Sequence, residues 1–226
     1  MAEIIVALDV ATLTEEEALL KKLRGIVTHY KIGLQLFAAH GKRAVDIVLR
    51  SGGRVFLDLK LFDIPQTVAH AVREAHRLGA FAVSLHLLGG SEMLKAAAQI
   101  SPRPKLWGVT VLTSMGPNDL RALHPQASIQ STVLRLAKLA AAAKLNGIIC
   151  SPKEVPLLQS KLNKNLDFIT PGIRTSGAAA QDQKRLLAPA EAAAAGADYL
   201  VIGRPITRAP DPRRAAQEIL REIHAS

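Results

Sequence analysis

The chain has almost no cysteine, with Cys150 the only one among 226 residues. One cysteine cannot form an intramolecular disulfide framework, and the lack of a CxxC pair or a paired Cys and His removes the usual signature of a zinc site. Long apolar runs are also missing, because no stretch approaches the roughly 18 apolar residues of a membrane span. The N-terminal segment carries Glu3 where a signal peptide needs basic residues. We therefore expect a soluble cytoplasmic protein with no membrane partner.

Aromatic residues and clustered basic residues are also scarce. Aromatics make up 4% of the chain, and the net charge of +10 comes from Lys and Arg residues that stand singly or in pairs. Nucleic-acid-binding surfaces combine basic grooves with aromatic side chains that stack on bases, and that combination is absent here. An anionic substrate or a solvated surface accounts better for the charge, so we expect no nucleic-acid partner.

Short apolar runs alternate with amphipathic segments along the whole chain. Many of the runs are continuously apolar, as parallel strands buried on both faces should be. The predicted strands are 3–9, 29–34, 54–60, 81–87, 105–112, 147–150, 166–172 and 198–203. The predicted helices are 14–25, 35–50, 65–79, 91–99, 129–145, 152–161, 189–195 and 212–224. Thr14 and Glu17 are the expected capping box of the first helix.

Eight strand–helix units in a chain of this length predict one α/β domain over residues 1–226, a (β/α)8 TIM barrel. An open doubly wound sheet is the alternative, but its usual GxGxxG turn is absent. In a (β/α)8 barrel the active site lies at the C-terminal ends of the strands. The residues that follow each predicted strand are therefore the candidate site residues.

The segment LDLKLFDIP (57–65) places charges at the end of an otherwise buried strand. Because side chains alternate along a strand, Asp58 and Lys60 should point to the same side, with Lys31 on the adjacent strand. Buried charges must be paired, so a structural ion-pair network is one interpretation. The position at strand ends favours an active site instead.

Asp63 lies beyond this strand, two residues before Pro65. Proline is favoured in the first turn of a helix, and Asp is a common N-cap residue. A helix cap is therefore the structural alternative to a functional role for Asp63.

Glycine and arginine follow the last two predicted strands. Gly172 and Arg174 come after the seventh, and Gly203 and Arg204 after the eighth. Phosphate sites in barrels often use these two loops, where backbone N–H groups can bind an anion. These residues predict a phosphate site, and a glycine that only turns the chain is the alternative.

Several motifs, in one order, resemble the orotidine 5′-phosphate decarboxylase family. They are ALDV, YKIGLQLF, DLKLFDIP, VTVLTSM, TPGIR and YLVIGRPIT, which extend from residue 7 to residue 207. The resemblance implies a (β/α)8 barrel, a homodimer, and conversion of orotidine 5′-phosphate to uridine 5′-phosphate in pyrimidine nucleotide synthesis. It also implies that the reaction uses no cofactor and no metal.

The resemblance also implies a role for each matching residue. Lys60 would donate the proton to C6, and Asp58 would sit beside the leaving carboxylate. Asp63 and Thr67 would reach the site of the neighbouring subunit, where Asp63 would join a charged array with Lys31, Asp58 and Lys60. The other residues with implied binding roles are Asp9 and Lys31 for the ribose, Thr113 for the pyrimidine, Arg174 and Gln183 for the loop over the substrate, and Gly203 and Arg204 for the phosphate.

The nearest alternative is a magnesium-dependent relative that acts on sugar phosphates with the same barrel and the same DxKxxD string. Similarity to those enzymes would imply a glutamate at the position of Lys31. Magnesium prefers oxygen ligands, which a lysine cannot supply. Lys31 therefore favours the decarboxylase.

Overall fold

The computed structural model describes residues 2–123, 125–162, 165–173 and 187–225. Eight parallel strands close into a barrel in sequence order, so that β1 pairs with both β2 and β8. This confirms the predicted (β/α)8 barrel. The strands are β1 Glu3–Ala7, β2 His29–Gly33, β3 Arg54–Leu61, β4 Ala82–His86, β5 Lys105–Val109, β6 Gly147–Ile149, β7 Asp167–Pro171 and β8 Tyr199–Ile202.

Helices follow the strands and surround the barrel. Their bounds are α1 Leu13–Leu23, α2 Leu34–His40, α3 Lys42–Arg50, α4 Pro65–Arg77, α5 Gly90–Ala98, α6 Pro117–Leu123, α7 Ile129–Ala142, α8 Val155–Lys161, α9 Pro189–Ala194, α10 Arg204–Thr207 and α11 Pro212–His224. None of the helices in the described ranges is long and apolar enough to cross a membrane.

Some predicted helix boundaries were wrong. The capping box of α1 is formed by Thr12 and Glu15, one half-turn earlier than the predicted Thr14 and Glu17. The segment predicted as one helix over 35–50 is two helices, because Gly41 has φ +52° and ends α2. The short helices α6 and α10 were not predicted, since they lack the length that makes an apolar repeat visible.

Apolar side chains fill the barrel on both sides of its wall. Outward-facing strand residues pack with the helices in one cluster, and inward-facing residues form a second. Within the second cluster Trp107 lies edge-on to Phe56, with ring centroids 4.7 Å apart, and 5.1 Å from the ring of Tyr199. These rings fill the N-terminal half of the barrel, so the cavity described below has an apolar floor.

Candidate active site

A cavity of about 400 Å³ opens at the C-terminal ends of the strands. Eight residues predicted for the site line it, namely Asp9, Lys31, Asp58, Lys60, Thr113, Gly172, Gly203 and Arg204. Phe56, Val109, Ile149 and Val201 belong both to its lining and to the inner apolar cluster. The cavity therefore has charged walls above an apolar floor.

Four of the lining residues form a row of alternating charges. Asp9 Oδ1 lies 3.2 Å from Lys31 Nζ, and Lys31 Nζ lies 3.7 Å from Asp58 Oδ2. Lys60 Nζ donates to Asp58 Oδ1 at 2.9 Å. The side chains of Lys31 and Asp58 are 11% and 14% exposed, and that of Lys60 is 33% exposed. Each charge has a partner of opposite sign, as burial requires, and the ammonium of Lys60 still faces the cavity.

An irregularity in β3 creates this arrangement. Leu57 pairs with Val83 and Leu61 pairs with Leu85, so residues 58–60 of β3 lie opposite one residue of β4. Lys60 takes a left-handed backbone conformation with φ +50°, which costs a residue other than glycine about 1 kcal/mol. Bulges of this kind re-aim side chains and are common beside active sites. The alternation of side chains along a strand predicted that Asp58 and Lys60 point to the same side of β3, but it did not predict the bulge.

Ser84 lies opposite the bulge and was not identified from the sequence. It is fully buried on β4. Its hydroxyl donates to Asp58 Oδ1 at 2.9 Å and accepts from the Lys60 backbone N–H at 2.8 Å. A serine in an apolar strand gave a weak signal, because buried serines often bond only to nearby backbone.

The pKa of Asp58 lies below its ordinary value. Burial by itself would raise this pKa. The charges of Lys31 and Lys60 outweigh the burial effect, and hydrogen bonds from Lys60 and Ser84 add to them. Asp58 therefore stays ionised, and its Oδ1 accepts the hydrogen bond from the ammonium of Lys60.

Glycine and arginine form the other end of the cavity. Gly203 precedes α10, and a Cβ atom there would lie 3.4 Å from Asp9 Oδ2. Gly172 has φ +86°, a conformation that favours glycine, and it lines the same end. Gly203 and Arg204, which were predicted to bind a phosphate, thus line the cavity together with Gly172. Arg174 and Gln183 lie outside the residues that the structure describes.

Asp63 and Thr67 are exposed and lie outside the cavity lining of the same chain. The interpretation of Asp63 as the cap of α4 was wrong. Ile64 is the N-cap residue, and Asp63 Oδ1 accepts from the Ile64 N–H at 2.6 Å. Phe62 and Ile64, on either side of Asp63, are 60% and 66% exposed.

His86, the last residue of β4, stacks on Phe62 with ring centroids 5.7 Å apart and accepts from the Leu88 N–H. Burial lowers the pKa of His86, and the charge of Lys60 lowers it further, so the ring is neutral. In the described part of the chain, no three His, Cys, Asp or Glu side chains lie close enough together to hold a metal ion.

Comparisons with known proteins identify the family to which the chain belongs. Residues 2–219 match the model of the orotidine 5′-phosphate decarboxylase / HUMPS family. The chain is 46% identical to an orotidine 5′-phosphate decarboxylase of Opitutus terrae, with 98% of each chain covered, and 44% identical to one of Trichlorobacter lovleyi, with 99% and 95% covered. The crystal structure of the Lactobacillus acidophilus enzyme of that name superposes with a TM-score of 0.87 at 33% identity, over 99% of both chains. The chain therefore belongs to the orotidine 5′-phosphate decarboxylase / HUMPS family.

Proposed function

We propose that this chain is an orotidine 5′-phosphate decarboxylase, a carboxy-lyase that converts orotidine 5′-phosphate to uridine 5′-phosphate and CO2 in pyrimidine nucleotide synthesis. The observation that carries the proposal is the ammonium of Lys60, which lies 2.9 Å from Asp58 Oδ1 and lines the open cavity. We further propose that residues 1–226 act as one domain in the cytoplasm. The single cysteine fits such a reducing compartment.

The cavity suggests how the substrate binds. The phosphate would lie against Gly203 and Arg204, with Arg174 and Gln183 closing over it. The ribose hydroxyls would bind Asp9 and Lys31, and Thr113 would hold the pyrimidine ring. This orientation brings C6 of the base to Lys60. Binding the phosphate far from C6 can contribute to the chemical step by fixing the substrate in place.

The reaction breaks the bond between C6 and the carboxylate. CO2 leaves, and the electron pair stays on C6 in the plane of the ring, where the ring delocalises it poorly. A fixed ammonium can stabilise this charge electrostatically, so the mechanism uses no cofactor and no metal. The N–H bond of Lys60 then breaks as the C6–H bond forms, and the neutral amine regains a proton from water. Asp58 orients the ammonium of Lys60 for this transfer through the 2.9 Å hydrogen bond between them.

We also propose that two chains complete each site. Asp63 and Thr67 are exposed and do not line the cavity of their own chain, and the apolar side chains of Phe62 and Ile64 near them are exposed. A homodimer would bury these apolar groups and bring Asp63 and Thr67 to the neighbouring cavity. The catalytic array would then consist of Lys31, Asp58 and Lys60 from one chain and Asp63 from the other.

Lys31 favours this reaction over a magnesium-dependent reaction of sugar phosphates. Its ammonium lies between Asp9 and Asp58, where a positive side chain competes with a metal ion for the carboxylates. The choice between the two reactions matters because the description of the matched family joins orotidine 5′-phosphate decarboxylase with a second name, HUMPS.

The test is the fall in absorbance of orotidine 5′-phosphate with purified protein in EDTA. We expect turnover by the wild type and none by Lys60→Ala. Lys105→Ala is the matched control, because Lys105 forms a 2.7 Å ion pair with Asp167 at the opposite end of the barrel. No turnover by the folded wild type would contradict the proposal, and sugar phosphates with magnesium would then be the substrates to test.

A further inference from the structure

We propose that Ser84 is a positioning residue that sets the geometry of the Asp58–Lys60 pair. The inference rests on the proposed decarboxylase function. It concerns a residue on β4 that lies behind the cavity wall and has no direct access to the substrate. Its hydroxyl is the one group that bonds both to the backbone of Lys60 and to the side chain of Asp58 among the described contacts.

The first role of Ser84 is to hold the bulge in β3. Regular pairing between β3 and β4 stops at Leu57–Val83 and resumes at Leu61–Leu85. The Lys60 N–H would otherwise lose its acceptor, and a buried donor without a partner is costly. Ser84 Oγ accepts this N–H at 2.8 Å. The left-handed backbone of Lys60, and hence the direction of its side chain, is fixed by a side chain of the next strand.

The second role is to orient the carboxylate of Asp58. Ser84 Oγ donates to Oδ1 at 2.9 Å, and the same oxygen accepts from Lys60 Nζ at 2.9 Å. With Oδ1 held in this way, Oδ2 faces Lys31 at 3.7 Å. The hydroxyl of Ser84 therefore determines which carboxylate oxygen of Asp58 contacts Lys60 and which faces Lys31.

Both roles need a single atom that donates one hydrogen bond and accepts another. A hydroxyl does this, whereas alanine does neither. The site is fully buried, so water cannot freely replace the missing hydroxyl. Threonine keeps the hydroxyl and adds one methyl group, which makes it the conservative substitution.

The experiment compares Ser84→Ala and Ser84→Thr with the wild type in steady-state kinetics from pH 4 to pH 9. We expect Ser84→Ala to lower kcat by about 10- to 100-fold with KM changed less than about 3-fold, because the lost bonds act on the reacting end and not on phosphate binding. The acid limb of kcat/KM should move to higher pH, since Asp58 loses a donor. Ser84→Thr should retain most of the activity.

The matched control is Thr110→Val. It removes a buried hydroxyl that bonds to the Ile149 carbonyl at 3.0 Å, away from the charged row. Thr110→Val should change kcat less than about 2-fold even if its stability falls, because that bond holds no reacting group. If Ser84→Ala does not fold, Ser84→Cys keeps the volume and weakens both bonds. Equal losses in the Ser84 and Thr110 variants, or an unmoved acid limb, would overturn the positioning role.

A second measurement does not depend on turnover. The carboxyl carbon of Asp58, assigned with Asp58→Asn, is titrated by NMR in the ligand-free wild type and in Ser84→Ala. We expect the pKa of Asp58 to be higher in the variant. An inactive wild type with this shift would overturn the decarboxylase function alone, whereas an active wild type without it would overturn the role of Ser84 alone.

Discussion

Gly33 leaves the space that the ammonium of Lys31 occupies. The two residues are on β2, and Gly33 pairs with Asp58 of β3. A Cβ atom at position 33 would lie 2.9 Å from Lys31 Nζ and 3.6 Å from Asp9 Oδ1. The missing side chain of Gly33 is therefore part of the site, because it lets Lys31 reach both carboxylates.

We predict that Gly33→Ala lowers activity more than stability. The backbone at Gly33 has φ −93°, which alanine adopts without strain. The atom that must move is the flexible end of Lys31, so folding is little affected, but the ammonium leaves its place between Asp9 and Asp58. We expect kcat/KM to fall at least about 10-fold, since an interaction of a charged group at the site is worth more than 1.4 kcal/mol. Kinetics and thermal unfolding measure the two effects.

Gly53→Ala is the control for this prediction. A Cβ atom at Gly53 would lie 2.8 Å from Tyr30 Cδ2 and 2.9 Å from Val48 Cγ1, both in the packed core. Overpacking of this kind costs about 1–3 kcal/mol of stability. The variant should therefore melt earlier and keep its kcat/KM at lower temperature. If Gly33→Ala behaves in the same way as Gly53→Ala, the role of Gly33 in the site is wrong.

The part played by Arg204 gives a second prediction. If Arg204 holds the phosphate, Arg204→Ala should lower kcat/KM by at least about 100-fold, because charge-assisted bonds to phosphate are among the strong hydrogen bonds. In the wild type, added phosphite should restore part of the activity on a substrate that lacks the phosphate. Arg208→Ala, which removes the same charge from an exposed position next to α10, should leave the kinetics unchanged. Unchanged kinetics in Arg204→Ala would remove the phosphate assignment.

The sequence predicted the barrel and most of the cavity wall for a simple reason. Parallel strands give continuous apolar runs, and in a barrel the residues that follow each run converge at one end. Asp9, Lys31 and Asp58 could be placed near one another on that basis alone. Their order along the barrel follows from the strand order.

Features that depend on pairing between strands could not be predicted in this way. The bulge at residues 58–60 is seen only in the pairing of β3 with β4, where Ser84 accepts from the Lys60 N–H. The space at Gly33 depends on where Lys31 lies in three dimensions. The predicted start of α1 was wrong because the sequence offers two Thr/Glu pairs with the spacing of a capping box, Thr12 with Glu15 and Thr14 with Glu17.

The proposed sharing of sites between subunits predicts complementation. Asp63→Ala and Lys60→Ala should each be inactive, because each homodimer has two defective sites. A heterodimer of the two has one site with both groups intact, so it should recover about half of the wild-type activity per dimer. Two affinity tags allow the heterodimer to be purified before the assay.

The control heterodimer combines Lys60→Ala with Asp58→Asn. Both changes affect residues of the same cavity, which lie 2.9 Å apart in one chain. Neither site of this heterodimer is intact, so it should stay inactive. Recovery in both heterodimers, or in neither, would contradict the assignment of Asp63 to the neighbouring site.

Glu16 should make the free energy of unfolding depend on pH. It is fully buried on α1 among Leu19, Leu20 and Leu23. Both of its carboxylate oxygens lack a hydrogen-bond partner within the described part of the chain. Burial, and to a smaller extent the charge of Glu17, raises the pKa of Glu16 to about 7. Glu16 therefore binds a proton more tightly in the folded chain than in the unfolded chain, where its pKa is near 4.5.

Because the folded state holds this proton more tightly, the contribution of Glu16 is most favourable below about pH 4.5 and is lost as the pH rises to about 7. A pKa difference of this size corresponds to about 3 kcal/mol. Glu16→Gln removes the titration, so the stability of the variant relative to the wild type should rise by about 3 kcal/mol between pH 4.5 and pH 8, as measured by urea unfolding. Glu17→Gln, a change at the exposed neighbour, should give a much smaller rise. If the difference in the free energy of unfolding between Glu16→Gln and the wild type stays constant over this range, Glu16 ionises in the folded protein near its ordinary pKa.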